Sequence, residues 1–459
     1  MSAIFRHRLQ GEHQKAASEN QMDRRKSTQT IGFVYGGYVM RYLYLIIVVP
    51  FYGRVLGVEE YGRVLASMSL MSVIWMLVGY GFVPVGMRDV SKAQSASECN
   101  DILSLHLSVR LVPALVGGCV GLLATIFSPV LSQTPLIGVL ATLLGIVSGM
   151  NLGWLFQGLH QFRTPILIEV FGFVLSLVLV LTIVKGPHDA VWVVASLLIS
   201  GVASSVISYA LAISQLGWPR IRWTGSVVLM RTSTMLFIYY SASMVLTASS
   251  TYLLTLLSTP DQVGYFGAAE RFATVGLALM GPAAQVFIPT ITRQLAQGDI
   301  QGAHQTTRRG AALLIGYGLL ICFGALTLSP VVLPLILGRS FAFSGHILQI
   351  FAWMFPFAAL NEFVAGYVFL PRKKDRLLAI VGIASTFLNI LVAILLAPRF
   401  GAVGLALARV MGELTLSIIL MGVMIRLQLV GLIPGFERAL RIVRAACGLR
   451  DHARVAKDD

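Results

Sequence analysis

The sequence predicts an all-α polytopic membrane protein with twelve transmembrane helices in two parallel-repeat six-helix lobes. Three observations lead there. The 459 residues are 56% hydrophobic and only 12% charged, about half the charge of a typical soluble domain, with a mean hydropathy of +0.79. Twelve segments reach the length of roughly 20 mostly apolar residues that a spanning helix needs. Two short motifs recur, in the same order, in both halves of the chain.

The elements follow in chain order. Residues 1–30 are polar and carry six Lys/Arg, forming a cytoplasmic N-terminal segment. No small-residue cleavage site follows the first apolar run, so that run reads as a retained helix. It covers 31–52, with Gly36-Gly37 near its start and Arg41 near its middle among Tyr38, Tyr42 and Tyr44. The second span is 64–86 and the third 104–128, with Arg110 about one turn in and Pro113 beyond it. Spans four to six are 135–158, 165–185 (with Glu169 one turn in) and 190–214, completing an N-lobe over 31–214. A cytoplasmic linker, 215–232, carries Arg220, Arg222 and Arg231. The C-lobe, 233–425, holds spans at 233–257, 265–289, 310–336, 345–370, 377–397 and 401–425. The eighth span is the weakest, opening with Glu270 and Arg271 and containing Pro282 and Pro289. The tail, 426–459, places Phe436, Leu440, Val443 and Cys447 at helical spacing beside Arg438, Arg441 and Arg444. That pattern is read as a cytoplasmic amphipathic helix on an anionic leaflet; the alternative is a basic tail without structure.

The repeat is read from two pairs of motifs. Glu59-Glu60-Tyr61-Gly62 follows the first span, and Asp261-Gln262-Val263-Gly264 follows the seventh. Gly153-Trp154-Leu155-Phe156 ends the fourth, with Arg163 ten residues after the glycine; Gly366-Tyr367-Val368-Phe369 ends the tenth, with Arg376 ten after. Halves repeated in the same orientation are a transporter design.

Charge sets the orientation. The two terminal segments and the short loops on their side together hold 26 of the 35 Lys/Arg, the opposite side holds five, and four lie within spans. The excess places both termini in the cytoplasm and accounts for the net charge of +15 without a nucleic-acid partner. The four cysteines are far apart and form no CxxC pair, so neither a metal site nor a disulfide framework is expected. Nothing in the sequence calls for a cofactor. No GxxxxGK[ST] loop is present, so the chain is not expected to hydrolyse ATP. The short outer loops at 129–134, 186–189 and 398–400 leave no room for an active site, so no catalytic residue is assigned.

The intramembrane charges are therefore the candidate functional residues. A charge at the bilayer centre is disfavoured by about 2.5–3.5 kcal/mol, so each should face protein or water. Arg409 and Glu413, at i,i+4, share a helix face and suit a structural ion pair. Glu362 lies deep in the tenth span beside Asn361, and it and Glu270 are candidates for ion coupling. Arg41 and Arg110 have no acidic neighbour at i±3 or i±4. Guanidiniums so placed would grip phosphate through paired hydrogen bonds if they line a wet cavity; the alternative for Arg110 is snorkelling to headgroups.

These motifs also carry a family resemblance. The run from Pro50 to Gly62, then Gly79-Tyr80-Gly81-Phe82 and Arg88, resembles the start of bacterial Wzx-type polysaccharide flippases. Trp154-Leu155-Phe156-Gln157-Gly158-Leu159 and the run from Gly264 to Phe272, followed by Pro289, are similar to further parts of that family. The family belongs to the superfamily of multidrug exporters and oligosaccharidyl-lipid and polysaccharide transporters. The resemblance implies two lobes forming a V-shaped central cavity that opens alternately to each side. It also implies a substrate, undecaprenyl-diphosphate-linked oligosaccharide, moved across the bacterial inner membrane for O-antigen or exopolysaccharide. Arg41, Arg110 and Arg271 are then the candidate substrate-binding cations. Membrane lipids, a polysaccharide polymerase and a chain-length regulator are the implied partners. The first span lacks the acidic residue of the drug-exporter branch, yet a cation-coupled multidrug or metabolite exporter using Glu362 is the main alternative. A membrane glycosyltransferase or polymerase would need longer outer loops, and a scaffold for polysaccharide machinery is a third reading.

Overall fold

Helix formation is the only way for a lipid-embedded backbone to satisfy its own polar groups without closing a barrel. Every regular element among the described residues is accordingly helical. The computed structural model describes residue 40, residues 43–427 and residue 429. The N-terminal segment, Arg41 and the amphipathic-tail reading lie outside the described residues.

The chain divides into two compact units, Met1–Tyr252 and Leu253–Asp459. In the first, α1 (Leu43–Gly79) is followed by α2 (Phe82–Lys92), α3 (Ala96–Phe127), α4 (Pro135–Gly149), α5 (Gly153–Gly158), α6 (Arg163–Ile183), α7 (Ala190–Leu216) and most of α8 (Ser226–Leu257). The second holds α9 (Pro260–Ala278), α10 (Gly281–Ala296), α11 (Ile300–Leu337), α12 (Ala342–Ala352), α13 (Met354–Glu362), a π-helical turn at Phe363–Phe369 and α14 (Asp375–Arg426).

Eight helical stretches among the described residues are long and apolar enough to cross a membrane. Two of them contain a backbone break at a glycine with positive φ, Gly57 (φ 73) in α1 and Gly401 (φ 54) in α14. Only glycine enters that region without steric penalty. At Gly401 the break is held by Gln262, whose Oε1 accepts the Ala402 N–H at 2.9 Å. The segment expected as a loop between the first two spans is thus helical apart from Gly57. Nearby, Arg63 ties Glu59, Glu60 and Gln133 together, its Nη2 lying 2.6 Å from Glu59 and 2.9 Å from Gln133. The expected eighth span is interrupted: α9 stops and α10 restarts with Pro282 in its first turn, where a missing N–H costs nothing.

Some helices extend beyond their apolar stretches because polar caps define their ends. Ser95 accepts the Glu98 N–H at the start of α3, and the Glu98 carboxylate accepts the Gln94 N–H at 2.9 Å, a reciprocal arrangement that satisfies two orphan donors. Asp299 likewise accepts the Gly302 N–H at 2.8 Å to open α11.

Helices packed in lipid gain nothing from hiding apolar surface from one another, so close backbone approach at small residues holds them together. The α3–α4 contact is reciprocal. Gly121 of α3 faces Thr142 of α4, and Gly138 of α4 faces Thr125 of α3, each without room for a Cβ. Both threonine hydroxyls donate to the glycine carbonyl four residues earlier in their own helix, at 2.8 Å. On α7, Ser196, Ser200, Ser204 and Ser208 form a buried i,i+4 stripe. Large apolar side chains such as Leu115, Phe127, Phe323 and Phe387 point outward, as a lipid-facing surface requires. A Gly121→Val variant is expected to lower stability by about 1–3 kcal/mol through overpacking. Thermal unfolding of the detergent-solubilised protein should show a lower melting temperature, whereas Gly316→Val, which meets nothing within 4 Å, should change it little.

Candidate functional site

In the first unit one candidate, Arg110, lies where α4 gives way to α5. Helix α4 ends at Gly149 and α5 restarts at Gly153. Such a break frees backbone carbonyls that lipid cannot satisfy. Here three of them, on Gly149, Met150 and Asn151, find a donor on another helix. Arg110 of α3 donates through Nη1 to the Gly149 carbonyl at 3.1 Å and, at the longer distance of 3.5 Å, to that of Asn151. Tyr209 of α7 donates to the Met150 carbonyl at 3.0 Å. The Asn151 side chain accepts the Gly153 N–H at 2.6 Å and starts the next helix.

Arg110 is fully buried. Its guanidinium lies 5.4 Å from the Trp154 ring centre and 5.7 Å from that of Phe82, positions in which ring faces attract a cation. His106, one turn earlier, packs on Trp154 in a tilted arrangement with ring centres 4.7 Å apart. Among the described residues, neither ring nitrogen of His106 has a hydrogen-bond partner, nor do Nε and Nη2 of Arg110. Arg110 therefore neither reaches the headgroups nor faces open solvent in this conformation; it clasps a broken span. No carboxylate approaches it among the described residues.

In the second unit a polar connection joins α13 to α14. Asn361 of α13 donates through Nδ2 to the Glu413 carboxylate at 2.9 Å and to the Glu413 carbonyl at 3.0 Å. Ser417 Oγ donates to Asn361 Oδ1 at 2.8 Å. Arg409 lies 3.9 Å from the other Glu413 oxygen, so Asn361 makes the shorter contact. Just beyond Asn361, the helix loosens into the π-helical turn. Such turns insert an extra residue and leave main-chain groups poorly aligned, and they are frequent at functional positions. Glu362 sits at this junction, half-buried, and makes no hydrogen bond or ion pair among the described residues. Tyr367, in the π turn, is fully buried and stacks on Phe287 at 5.5 Å.

The remaining candidates are scattered. Glu270 and Arg271 are half-buried on α9, and Arg41 is outside the described residues. Trp154 and Tyr367, the aromatics of the recurring motif, are both fully enclosed beside a helix irregularity in their own unit. Sequence reasoning passed over Tyr209 and Ser417, each a single hydroxyl in an apolar span with no motif to mark it. Replacing Asn361 with leucine should destabilise the second unit by about 1–3 kcal/mol, because Glu413 loses its closest donor inside the protein; unfolding followed by proteolysis within residues 253–427 reads this out.

Comparison with known proteins completes the description. Residues 27–295 match the family described as "Polysaccharide biosynthesis protein". A "Putative O-antigen transporter" of Shigella dysenteriae is 23% identical over 398 residues, covering 83% of this chain and 95% of that one. Among solved structures, the lipid II flippase MurJ in an inward closed conformation aligns with a TM-score of 0.63 at 14% identity, over 85% of this chain and 87% of that one. An inward-facing multidrug resistance MATE family transporter of the MOP superfamily aligns with a TM-score of 0.56 at 12% identity, over 82% of this chain and 95% of that one. At such identities the likeness establishes the fold.

Proposed function

The chain belongs to the polysaccharide biosynthesis protein family, and from that premise we propose that it flips undecaprenyl-diphosphate-linked oligosaccharide across the bacterial inner membrane by alternating access, for O-antigen or exopolysaccharide. The observation that carries this reading is the match to an O-antigen transporter along 95% of that protein's length. The fold shared with a lipid II flippase supports it. The task breaks no bond, so it needs no acid–base constellation.

The chemistry assigned to the cations follows from the substrate. A diphosphate crossing a low-dielectric region needs opposite charge along its path, and guanidinium supplies that with two parallel donors. Arg41 and Arg271 are proposed to meet the diphosphate directly. Arg110 acts from within the wall: it fixes the break in the fourth span, and its charge, unneutralised by any carboxylate among the described residues, is felt at a distance through protein of low dielectric. The twelve-span, two-lobe layout, the cytoplasmic termini, and a polymerase and chain-length regulator as partners belong to the same proposal. A strain lacking the protein should lose its surface polysaccharide and regain it on expression of the wild-type chain. Unchanged surface glycan in that strain would remove the flippase reading.

One observation favours a second reading. Glu362 is a half-buried carboxylate that meets no partner among the described residues, beside a π-helical turn, and an ion-coupled exporter needs a buried titratable group, with Glu270 as a further candidate. If the chain exports cationic compounds, cells expressing it will resist cationic dyes and Glu362→Gln will abolish that resistance. Equal dye sensitivity with and without the protein discards this alternative.

A further inference from the structure

The segment joining α7 to α8 is a built structure rather than a slack linker. Two left-handed glycines bound it, Gly217 (φ 85) and Gly225 (φ 93). Between them the chain lies along α3 in a regular ladder. Asn100 Nδ2 donates to the Trp218 carbonyl at 3.2 Å, the Arg220 N–H donates to Ser104 Oγ at 2.9 Å, and the Arg222 N–H donates to Ser108 Oγ at 2.9 Å. The helix partners are spaced four apart and the strap partners two apart. Four residues of α-helix rise about 6.0 Å, and two residues of extended chain cover about 6.6 Å. The two periods therefore match, and one polar helix face reads an extended chain in register.

The ladder fixes what the strap presents. An extended chain sends alternate residues to the same side, so Arg220 and Arg222 form a pair with a set spacing. Arg222 is also held by Asp101, with Nη1 2.5 Å from the carboxylate, and keeps 41% of its side chain exposed. Arg220 is exposed, and its guanidinium makes no hydrogen bond or ion pair among the described residues. Trp218 (77% exposed) and Ile221 (79%) project from the same strap. Tryptophan and arginine together on an exposed segment suit the headgroup level of a bilayer, where an amphipathic ring and a cation both find partners.

We propose that the 217–225 strap is a preorganised binding site for the phosphate of a lipid headgroup, with Arg220 and Arg222 as the phosphate ligands and Asn100, Ser104 and Ser108 as positioning residues. Phosphodiester and lipid-linked diphosphate share this chemistry. The site rests on the reading that places this linker on the cytoplasmic side of a flippase, where a lipid-linked substrate begins its passage. The strap's backbone is ordered before the ligand arrives, so binding forgoes less conformational entropy.

Full-length protein in phosphatidylcholine nanodiscs, doped either with phosphatidylglycerol or with undecaprenyl diphosphate, tests this by native mass spectrometry of retained lipid. The Arg220→Gln/Arg222→Gln pair should lower retention of the anionic lipid about tenfold, the loss expected for charge-assisted hydrogen bonds. The Ser104→Ala/Ser108→Ala pair, which keeps every charge, should lower it about threefold by releasing the strap. Arg231→Gln, beyond the strap, should leave it unchanged. Stronger retention of the diphosphate identifies a substrate entry site, and equal retention of both identifies a general headgroup site; either supports the assignment. Wild-type retention by the Arg220/Arg222 variant, or by the serine variant, overturns it. Because binding is measured rather than transport, a negative result here leaves the flippase reading to its own test.

Discussion

Arg110→Ala should destabilise the first unit by about 3–5 kcal/mol, the largest stability effect expected of any single substitution in this chain. Two terms act in the same direction. The carbonyls of Gly149 and Asn151 lose their donor, and a buried acceptor left unmet costs about 1–3 kcal/mol. A fully buried side chain, enclosed by Trp154 and Phe82, also leaves a void that the packed helices only partly close. Relief from burying an unneutralised cation opposes both and explains why Arg110→Met, which refills the volume without charge, should fall between alanine and wild type. Arg110→Lys keeps the charge but loses the planar guanidinium that lies against the Trp154 and Phe82 rings, so it too should be destabilised. Tyr209→Phe removes one donor from the same break and should cost about 1 kcal/mol. Melting of the purified protein, followed by tryptophan fluorescence, ranks the series. Equal stability of Arg110→Ala and wild type would show that the break in the fourth span is held by packing alone.

The extent to which this was legible beforehand differs between fold and site. Apolar runs and loop arginines mark the membrane-crossing segments well, because lipid imposes a hard requirement on composition. They do not mark helix ends: α3 begins at Ala96 and α11 at Ile300, ahead of the expected 104 and 310, because Ser95 and Asp299 cap helices in water rather than in lipid. Nor do they show breaks made by tertiary contacts. The division at Gly401 depends on Gln262, more than a hundred residues away, and nothing in Phe363–Phe369 announces a π turn. At the site, the absence of an acidic neighbour for Arg110 is plain from spacing. Its actual partners are main-chain carbonyls, which no side-chain pattern can reveal. The linker is legible in the sequence only as a loop carrying Arg220, Arg222 and Arg231, although Asn100, Ser104 and Ser108 stand at helical spacing on the facing helix.

The second large effect concerns transport. Arg41→Ala and Arg271→Ala should each slow the flipping step by roughly tenfold or more, since each guanidinium removed deletes a charge-assisted contact worth about 1.5–3 kcal/mol to a diphosphate in transit. Lysine at either position should recover part of the rate as a point charge without the fork. Protein level in the membrane separates loss of transport from loss of folding, the effect expected of Arg110→Ala.

The central claim is that this protein moves a lipid-linked oligosaccharide between leaflets. Its most direct test is the amount and leaflet position of polyprenyl-diphosphate oligosaccharide, by mass spectrometry and by accessibility to an impermeant glycan probe, in cells depleted of the protein and complemented with wild type, Arg41→Ala or Arg271→Ala. Accumulation on the cytoplasmic leaflet after depletion, cleared by wild type and persisting with either arginine variant, is the predicted result. A depleted cell whose precursor is neither raised nor confined to that leaflet would contradict it.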